Sequence, residues 1–320
     1  MKELTIQFND ANQRIDKFLM KYMDQAPKSF IYKMLRKKRI KYNNKKATGN
    51  ELLRVGDQIQ LYLSNDTIAQ FQKSLAKVVQ VQRTFDIVYE DQNILICNKP
   101  AGLLTHPNKP NQKNTLLHQV LYYLYEQSEF LPEQEQGFTP GLCNRLDRNT
   151  SGLIIVGKNL PTLQEINDCI QKQSIQRYYL TIVKGNLKKE GRLVDYYSKD
   201  HKENKGQIDT VPTKNSKIIE TYYWPIQSNG ESTLVEVQLA TGRTHQIRLH
   251  LSSIQHPIAG DPKYGEPTWN QILFQKYKLS SQLLHGYKIR FSNIKNHLEY
   301  LNEQEFTSPP PNIFTKIIPK

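Results

Sequence analysis

The chain of 320 residues carries a formal net charge of +14, with 38% apolar and 10% aromatic residues, and its mean hydropathy is −0.65. This is enough material for two domains with a real core, and no apolar run reaches the ~18–20 residues that a membrane span needs. The opening MKELTIQFND lacks the apolar region of a secretory signal. Cys97, Cys143 and Cys169 are too scattered for a disulfide framework or a Cys-x-x-Cys metal site, so a reducing cytoplasm is the expected setting.

The charge is concentrated at the start. Residues 1–65 hold fourteen lysines and arginines against six acids, a surplus of eight in about a fifth of the chain. Such an excess points to a polyanion as partner. Ile15, Phe18, Leu19 and Tyr22 recur at helical spacing and predict an amphipathic helix over 12–23. A second helix is expected from Pro27, with Ile31, Met34 and Leu35 on its apolar face and Lys33, Arg36 and Lys37 on another. Lys38, Arg39 and Lys41 extend that charge past its end. Turns at Asn43-Asn44 and Val55-Gly56-Asp57 then lead to an alternating strand through Ile59, Leu61 and Leu63. With QRIDKFL, PKSFIYKMLRKKRIKYNNKK and VGDQIQLYL, residues 1–65 resemble the small αL RNA-binding domain of a ribosomal protein and several RNA-modifying enzymes. Membrane binding is disfavoured, because the apolar helix faces are needed for the module's own core.

Residues 66–83 read as a linker. From Thr84 the texture turns β-rich: two strands flank a turn at Asp91-Gln92-Asn93, and further strands are predicted over 153–157, 178–184, 219–224 and 233–240. Helices are expected near 115–126 and 161–172, and the polar tracts 127–140 and 198–217 read as loops, the second as a loop or hairpin. Strands and helices do not alternate strictly, so an α+β fold with a mainly antiparallel sheet is expected over residues 84–300. Residues 301–320, with Pro309-Pro310-Pro311, read as a C-terminal tail.

Three stretches carry chemistry. In GLCNRLDRNTSGLIIVGKN, Asp147 lies between Arg145 and Arg148 in a polar loop directly before a buried strand. Most aspartates in such turns only cap or pair, but a carboxylate held by a cation suits a nucleophile or base. In LVEVQLATGRTHQIRLHLSSIQHPIAGDPKYG, a strand ends at Thr241-Gly242 and Thr244 is expected to cap a helix. Arg243, His245 and Arg248 gather near its start as a phosphate grip. His245, His250 and His256 are spaced by five and six residues, unlike zinc-binding helices, and no metal is expected. In QRYYLTIVKG, the neighbouring Tyr178 and Tyr179 must face opposite sides of a strand, one for the core and one free to stack on a base.

NKPAGLLTHP, NRLDRNTSGLIIVGKN, RYYLTIVKG and TGRTHQIRLHLSSIQHPIAGDPKYG, in this order, resemble the RluA-type pseudouridine synthases, specifically the RluC-like members with an N-terminal RNA-binding module. The likeness spans roughly residues 10 to 290. It implies that Asp147 is the essential catalytic aspartate, that Arg145 engages it and helps hold RNA, and that Tyr179 is the active-site tyrosine. It also implies that Arg248 is the basic partner of Asp147. Arg243 and His245, with Arg36, Lys37, Lys38, Arg39 and Lys41 of the N-terminal module, are the expected RNA contacts. The family usually has His before Arg-Leu-Asp, where this chain has Asn144, and the His-Pro pair that often follows LLHGYKIRF is replaced by Ser292-Asn293. The implied activity is isomerisation of uridine to pseudouridine without a cofactor, by a monomer. Ribosomal RNA of the large subunit is the implied substrate and transfer RNA the alternative. A non-catalytic RNA-binding or ribosome-assembly protein and an RNA N-glycosidase are the competing readings, separable by their products.

Overall fold

The computed structural model describes residues 1–72, 78–109, 111–200, 205–209, 211–213 and 216–319. The N-terminal module consists of β1 (Lys2–Thr5), α1 (Ile15–Tyr22), α2 (Lys28–Arg36), β2 (Ile40–Tyr42), β3 (Lys45–Lys46), β4 (Gln58–Leu61) and α3 (Asn65–Phe71). Its four strands run in the order β1-β4-β2-β3. Ile15, Phe18 and Leu19 of α1 and Ile31 and Leu35 of α2 bury against Ile40, Ile59 and Leu61 of the sheet, as the helical spacing requires. The module runs further than residue 65. Ser64 caps α3 through a bond from the Thr67 amide, Ile68 joins the core, and Phe71 packs against Phe30 at 4.5 Å. The first part of the expected linker is therefore folded, and residues 73–77 lie outside the described ones.

The rest of the chain builds a sheet from β5 (Asp86–Glu90), β6 (Ile94–Lys99), β7 (Gly141–Leu142), β8 (Ser151–Gly157), β9 (Ile175–Lys184), β10 (Gly191–Asp200), β11 (Lys205–Asp209), β12 (Lys217–Ser228), β13 (Ser232–Leu239), β14 (Leu284–Phe291) and β15 (Glu305–Thr307). Its helices are α4 (Leu116–Glu126), α5 (Leu160–Gln171), α6 (Gln246–Ser253), α7 (Pro267–Tyr277) and α8 (Ile313–Ile317). The strand order is β11-β10-β12-β13-β9-β14-β8-β6-β5, with β7 beside β8 and β15 beside β14. The β8–β14 pair is parallel and the other pairs are antiparallel, which is the α+β architecture expected. Residues 198–217 begin as the end of the β10–β11 hairpin; 201–204, 210 and 214–215 lie outside the described residues.

Strands β6 and β8 run through the middle of the core and are buried on both faces. Leu95, Cys97, Ile154 and Val156 face one layer, under α4 and α6, while Ile94, Ile96, Leu153 and Ile155 face the other, under α5. At the crossing of β8 and β14, Gly152 (φ +122°) lies against Gly286; a Cβ on Gly152 would come within 2.3 Å of the Gly286 carbonyl oxygen. Only glycine permits so close an approach of the two backbones. The C-terminal segment is not a loose tail. Strand β15 pairs with β14, and Phe314, Ile317 and Ile318 bury against Trp269, Leu273 and Ile182.

Candidate active site

Asp147 lies in the loop between β7 and β8, and the NKPAGLLTHP segment pins that loop. The fully buried Lys99 donates through Nζ to the carbonyls of Pro100 (2.8 Å), Leu103 (2.7 Å) and Arg148 (3.0 Å). The Gly102 amide also donates to the Arg148 carbonyl at 2.9 Å. Thr105 donates its hydroxyl to the Leu146 carbonyl at 2.6 Å and accepts from the Leu146 amide at 3.3 Å. Backbone groups on both sides of Asp147 are thus fixed, which presents its carboxylate from a rigid mount.

The carboxylate's partner comes from α6. The buried Arg248 donates from Nη1 to Oδ2 of Asp147 at 2.9 Å, and from Nε and Nη2 to Asp261 at 2.7 and 2.8 Å. Asp261 is 1% exposed and also accepts from the amides of Lys263 and Tyr264, at 2.8 and 3.1 Å. Burial pushes the Asp261 carboxyl up, but the Arg248 guanidinium and the two amides outweigh it and hold the carboxyl below the usual carboxylate range. A bidentate fork of this kind fixes the guanidinium plane and so aims an Nη1–H at Asp147.

His245, the residue before α6, takes a left-handed backbone (φ +58°), so it and not Thr244 occupies the cap position, and its side chain caps no amide. Its Nε2 stands 3.8 Å from Oδ2 of Asp147, and its Nδ1 is 3.2 Å from the Tyr264 hydroxyl. Burial pushes the imidazole below its ordinary value, against the pull of Asp147. Tyr179 is 5% exposed, and its ring packs beside Gly286. Burial raises its phenol against the opposing effect of Arg177, and the charge of Asp147 adds a smaller push upward. Tyr178 faces the other way, beneath Lys288 Nζ at 4.4 Å.

One pocket is lined by Arg145, Asp147, Tyr179, Arg243, His245 and Arg248, so six of the predicted residues converge. Two details differ from expectation. No ion pair from Arg145 to Asp147 occurs among the described residues; Arg145 is exposed at the pocket rim, and Arg248 holds the acid. Arg248 is enclosed by its two carboxylates and cannot serve a phosphate grip, which leaves the exposed Arg243 at that rim. Asn144, where the resembled family has His, serves the fold: it donates to the Leu153 carbonyl at 3.1 Å and accepts from the Ile155 amide at 2.8 Å. In the N-terminal module Arg36, Lys37, Lys38 and Arg39 are exposed, while Lys41 lies half-buried with Nζ 4.9 Å from the Tyr62 ring centre. Exposed Lys45 and Lys46 add to that face. Sequence reasoning missed Lys99, Asp261 and Tyr264, although Lys99 lies within NKPAGLLTHP and the other two within the stretch from Leu234 to Gly265.

The model of the RNA pseudouridylate synthase family matches residues 93–253, which contain every residue of this pocket except Leu284. The chain belongs to this family. It is therefore an isomerase. It is 30% identical over 292 residues to the ribosomal large subunit pseudouridine synthase D of Nitrosomonas europaea, covering 91% of this chain and 80% of that one. The ribosomal large subunit pseudouridine synthase C of Vibrio cholerae is 31% identical over 288 residues, covering 88% and 85%. An RNA pseudouridine synthase of Mycoplasma capricolum is 34% identical over 315 residues, covering 97% and 98%. Among solved structures, human RNA pseudouridylate synthase domain containing 1 shares the fold, with a TM-score of 0.54 at 21% identity over 73% of this chain and 87% of that one. Among the described residues no helix is long and apolar enough to cross a membrane, and no group of His, Cys, Asp and Glu could hold a metal ion.

Proposed function

We propose that this enzyme converts uridines of large-subunit ribosomal RNA to pseudouridine, as a cytoplasmic monomer, with Asp147 as the reacting carboxylate. The observation that carries the reading is the Asp147–Arg248–Asp261 array beside Tyr179: one acid is sequestered to aim the arginine, and the other is offered to the pocket. The uridine loses its N1–C1′ bond, the uracil turns, and C5 bonds to C1′. The proton leaving C5 is balanced by the one gained at N1, so no oxidant, reductant or cofactor enters. Asp147 acts on the ribose, either as nucleophile at C1′ or as base at C2′. Tyr179 stacks on the uracil, and its buried phenol stays protonated at neutral pH.

A base inside a helix cannot reach Asp147, so the target nucleotide is extruded, with Arg145 at the rim filling the space it leaves. Arg243 and His245 meet the flanking RNA. Residues 1–72 form the binding module, with Arg36, Lys37, Lys38, Arg39 and Lys41 toward phosphates. The two ribosomal relatives support the substrate class. The test is carbodiimide primer extension on ribosomal RNA from a deletion strain, repeated with purified enzyme. Loss and restoration of a signal in large-subunit RNA supports the reading. A signal confined to transfer RNA, release of free uracil, or no change in any RNA would overturn it.

A further inference from the structure

Of the chain's arginines, only Arg177 and Arg248 are not exposed. Arg248 is held between two carboxylates. Arg177 has no such partner: among the described residues it forms no ion pair, and its Nε is buried without an acceptor. A charge drawn partly out of water with no counter-charge is costly. Arg177 and Tyr179 stand two residues apart on β9, so they project to one face of the strand, with their Cα atoms roughly 7 Å apart. The charge of Arg177 is felt at the Tyr179 phenol. Its guanidinium lies against Gly242: a Cβ on Gly242 would come 3.4 Å from Nη1 and 3.8 Å from Nη2.

Gly242 is exposed and its backbone is not left-handed, so the turn itself does not call for glycine. What the missing side chain does is leave the guanidinium of Arg177 uncovered next to the exposed Arg243. The loop that carries Gly242 and Arg243 is firmly set. The buried Gln246 accepts through Oε1 from the Thr241 hydroxyl at 2.9 Å and the Arg243 amide at 3.0 Å. Through Nε2 it donates to the Glu220 carbonyl and the Thr221 hydroxyl, both at 2.9 Å. All four hydrogen-bonding positions of its amide are used. Two arginines without a carboxylate among the described residues therefore flank a fixed turn at the edge of the pocket. Their planar forks match the oxygens of a phosphate. The uracil that reacts is neutral, so phosphates are the anions that an RNA brings to them.

We propose that Arg177 and Arg243, on either side of Gly242, form a subsite for one backbone phosphate next to the target uridine, which places the extruded nucleotide against Tyr179. The proposal rests on the reading of the pocket given above, which wild-type turnover of unmodified RNA tests separately. The experiment uses a synthetic oligoribonucleotide spanning the uridine that primer extension maps. Single methylphosphonates remove the charge of one phosphate at a time on both sides of that uridine. The ratio kcat/KM is measured for full-length wild type, Arg177→Met and Arg243→Met. In wild type, neutralising one phosphate beside the uridine should cost at least about tenfold, as for losing a hydrogen bond to a charged group. Arg177→Met should lose a similar factor on unmodified RNA and then much less at that phosphate, with the losses elsewhere as in wild type. Arg243→Met should couple to the same phosphate. An arginine that only packs would lower stability and leave the pattern of losses unchanged. An unchanged kcat/KM in Arg177→Met, additive losses at every position, or coupling of the two arginines to different phosphates would overturn the proposal. If Arg177→Met fails to fold, Arg177→Lys decides in the same scan: it keeps a charge without the fork and should show a smaller loss than wild type at that one phosphate.

Discussion

Replacing Asp261 with Asn removes one charge from a site that no solvent reaches. Arg248 would keep at most one of its bonds of 2.7 and 2.8 Å to that residue, because the new amide offers a single acceptor and sets an N–H against a guanidinium N–H at the other position. Breaking a buried pair by removing one partner costs about 3–5 kcal/mol. For a domain of this size each kcal/mol lowers Tm by roughly 2–4 °C, so a fall of about 10 °C is expected. Arg248 still has Asp147 but no longer a fixed plane, so turnover per folded molecule should drop at least tenfold. The pH dependence carries a sign. The folded Asp261 carboxyl is held below its ordinary 3.8, so its stabilisation is fully present above that value and is lost as pH falls through the folded value. The gap between wild type and Asp261→Asn should therefore be constant at neutral pH and narrow only below about pH 4. Urea unfolding from pH 3 to 8, with pseudouridine formation on one RNA fragment, measures both. A stability loss under about 1 kcal/mol, or a gap that narrows already at pH 6, would refute the account of Asp261 as the anchor of Arg248.

Asp147→Asn should abolish pseudouridine formation, leave RNA affinity within about threefold, and change stability by less than about 1 kcal/mol, since Arg248 keeps its bidentate partner; primer extension, filter binding and urea melts check the three. Lys99→Met should lower kcat more than it weakens RNA binding, because three carbonyls around the Asp147 loop lose their donor; single-turnover kinetics on saturating enzyme reads this directly. Substituting Lys37, Lys38 and Arg39 together by Ser should flatten the salt dependence of log Kd by about 0.9 for each phosphate left without its cation, with kcat at saturating RNA unchanged. Equal salt slopes would mean that this exposed face never meets the RNA backbone.

Much of this site is legible in the sequence because its parts are local signals. An acid among arginines before an apolar run, a tyrosine pair on a strand, and a basic cluster at a helix start each declare themselves within a few residues. What stays hidden lies in the pairing between stretches. Nothing near Arg248 says that its second partner is Asp261, and its pairing with Asp147, about a hundred residues away, comes from the family resemblance and not from any local pattern; the same resemblance also set Arg145 on the acid, where it is not found. Helix α7 escapes notice because its apolar residues do not keep to one side: Trp269 and Leu273 are buried while Ile272 and Phe274 are exposed. The ends of both domains read as loose for a related reason. Short elements such as α3 and α8 gain their order from a few distant partners, and propensity alone does not reveal these.

The touch of Gly152 on Gly286 also fixes when the enzyme can begin to work. The strand behind Asp147 cannot take its final place until the strand containing Gly286 has left the ribosome, about 130 residues later. At ordinary rates of synthesis that is a wait of roughly 7–26 s. Through that interval the start of β8, at Ser151 and Gly152, lacks the strand it pairs with, while the N-terminal module has already been made. A nascent chain therefore has its exposed basic face long before it has a finished site.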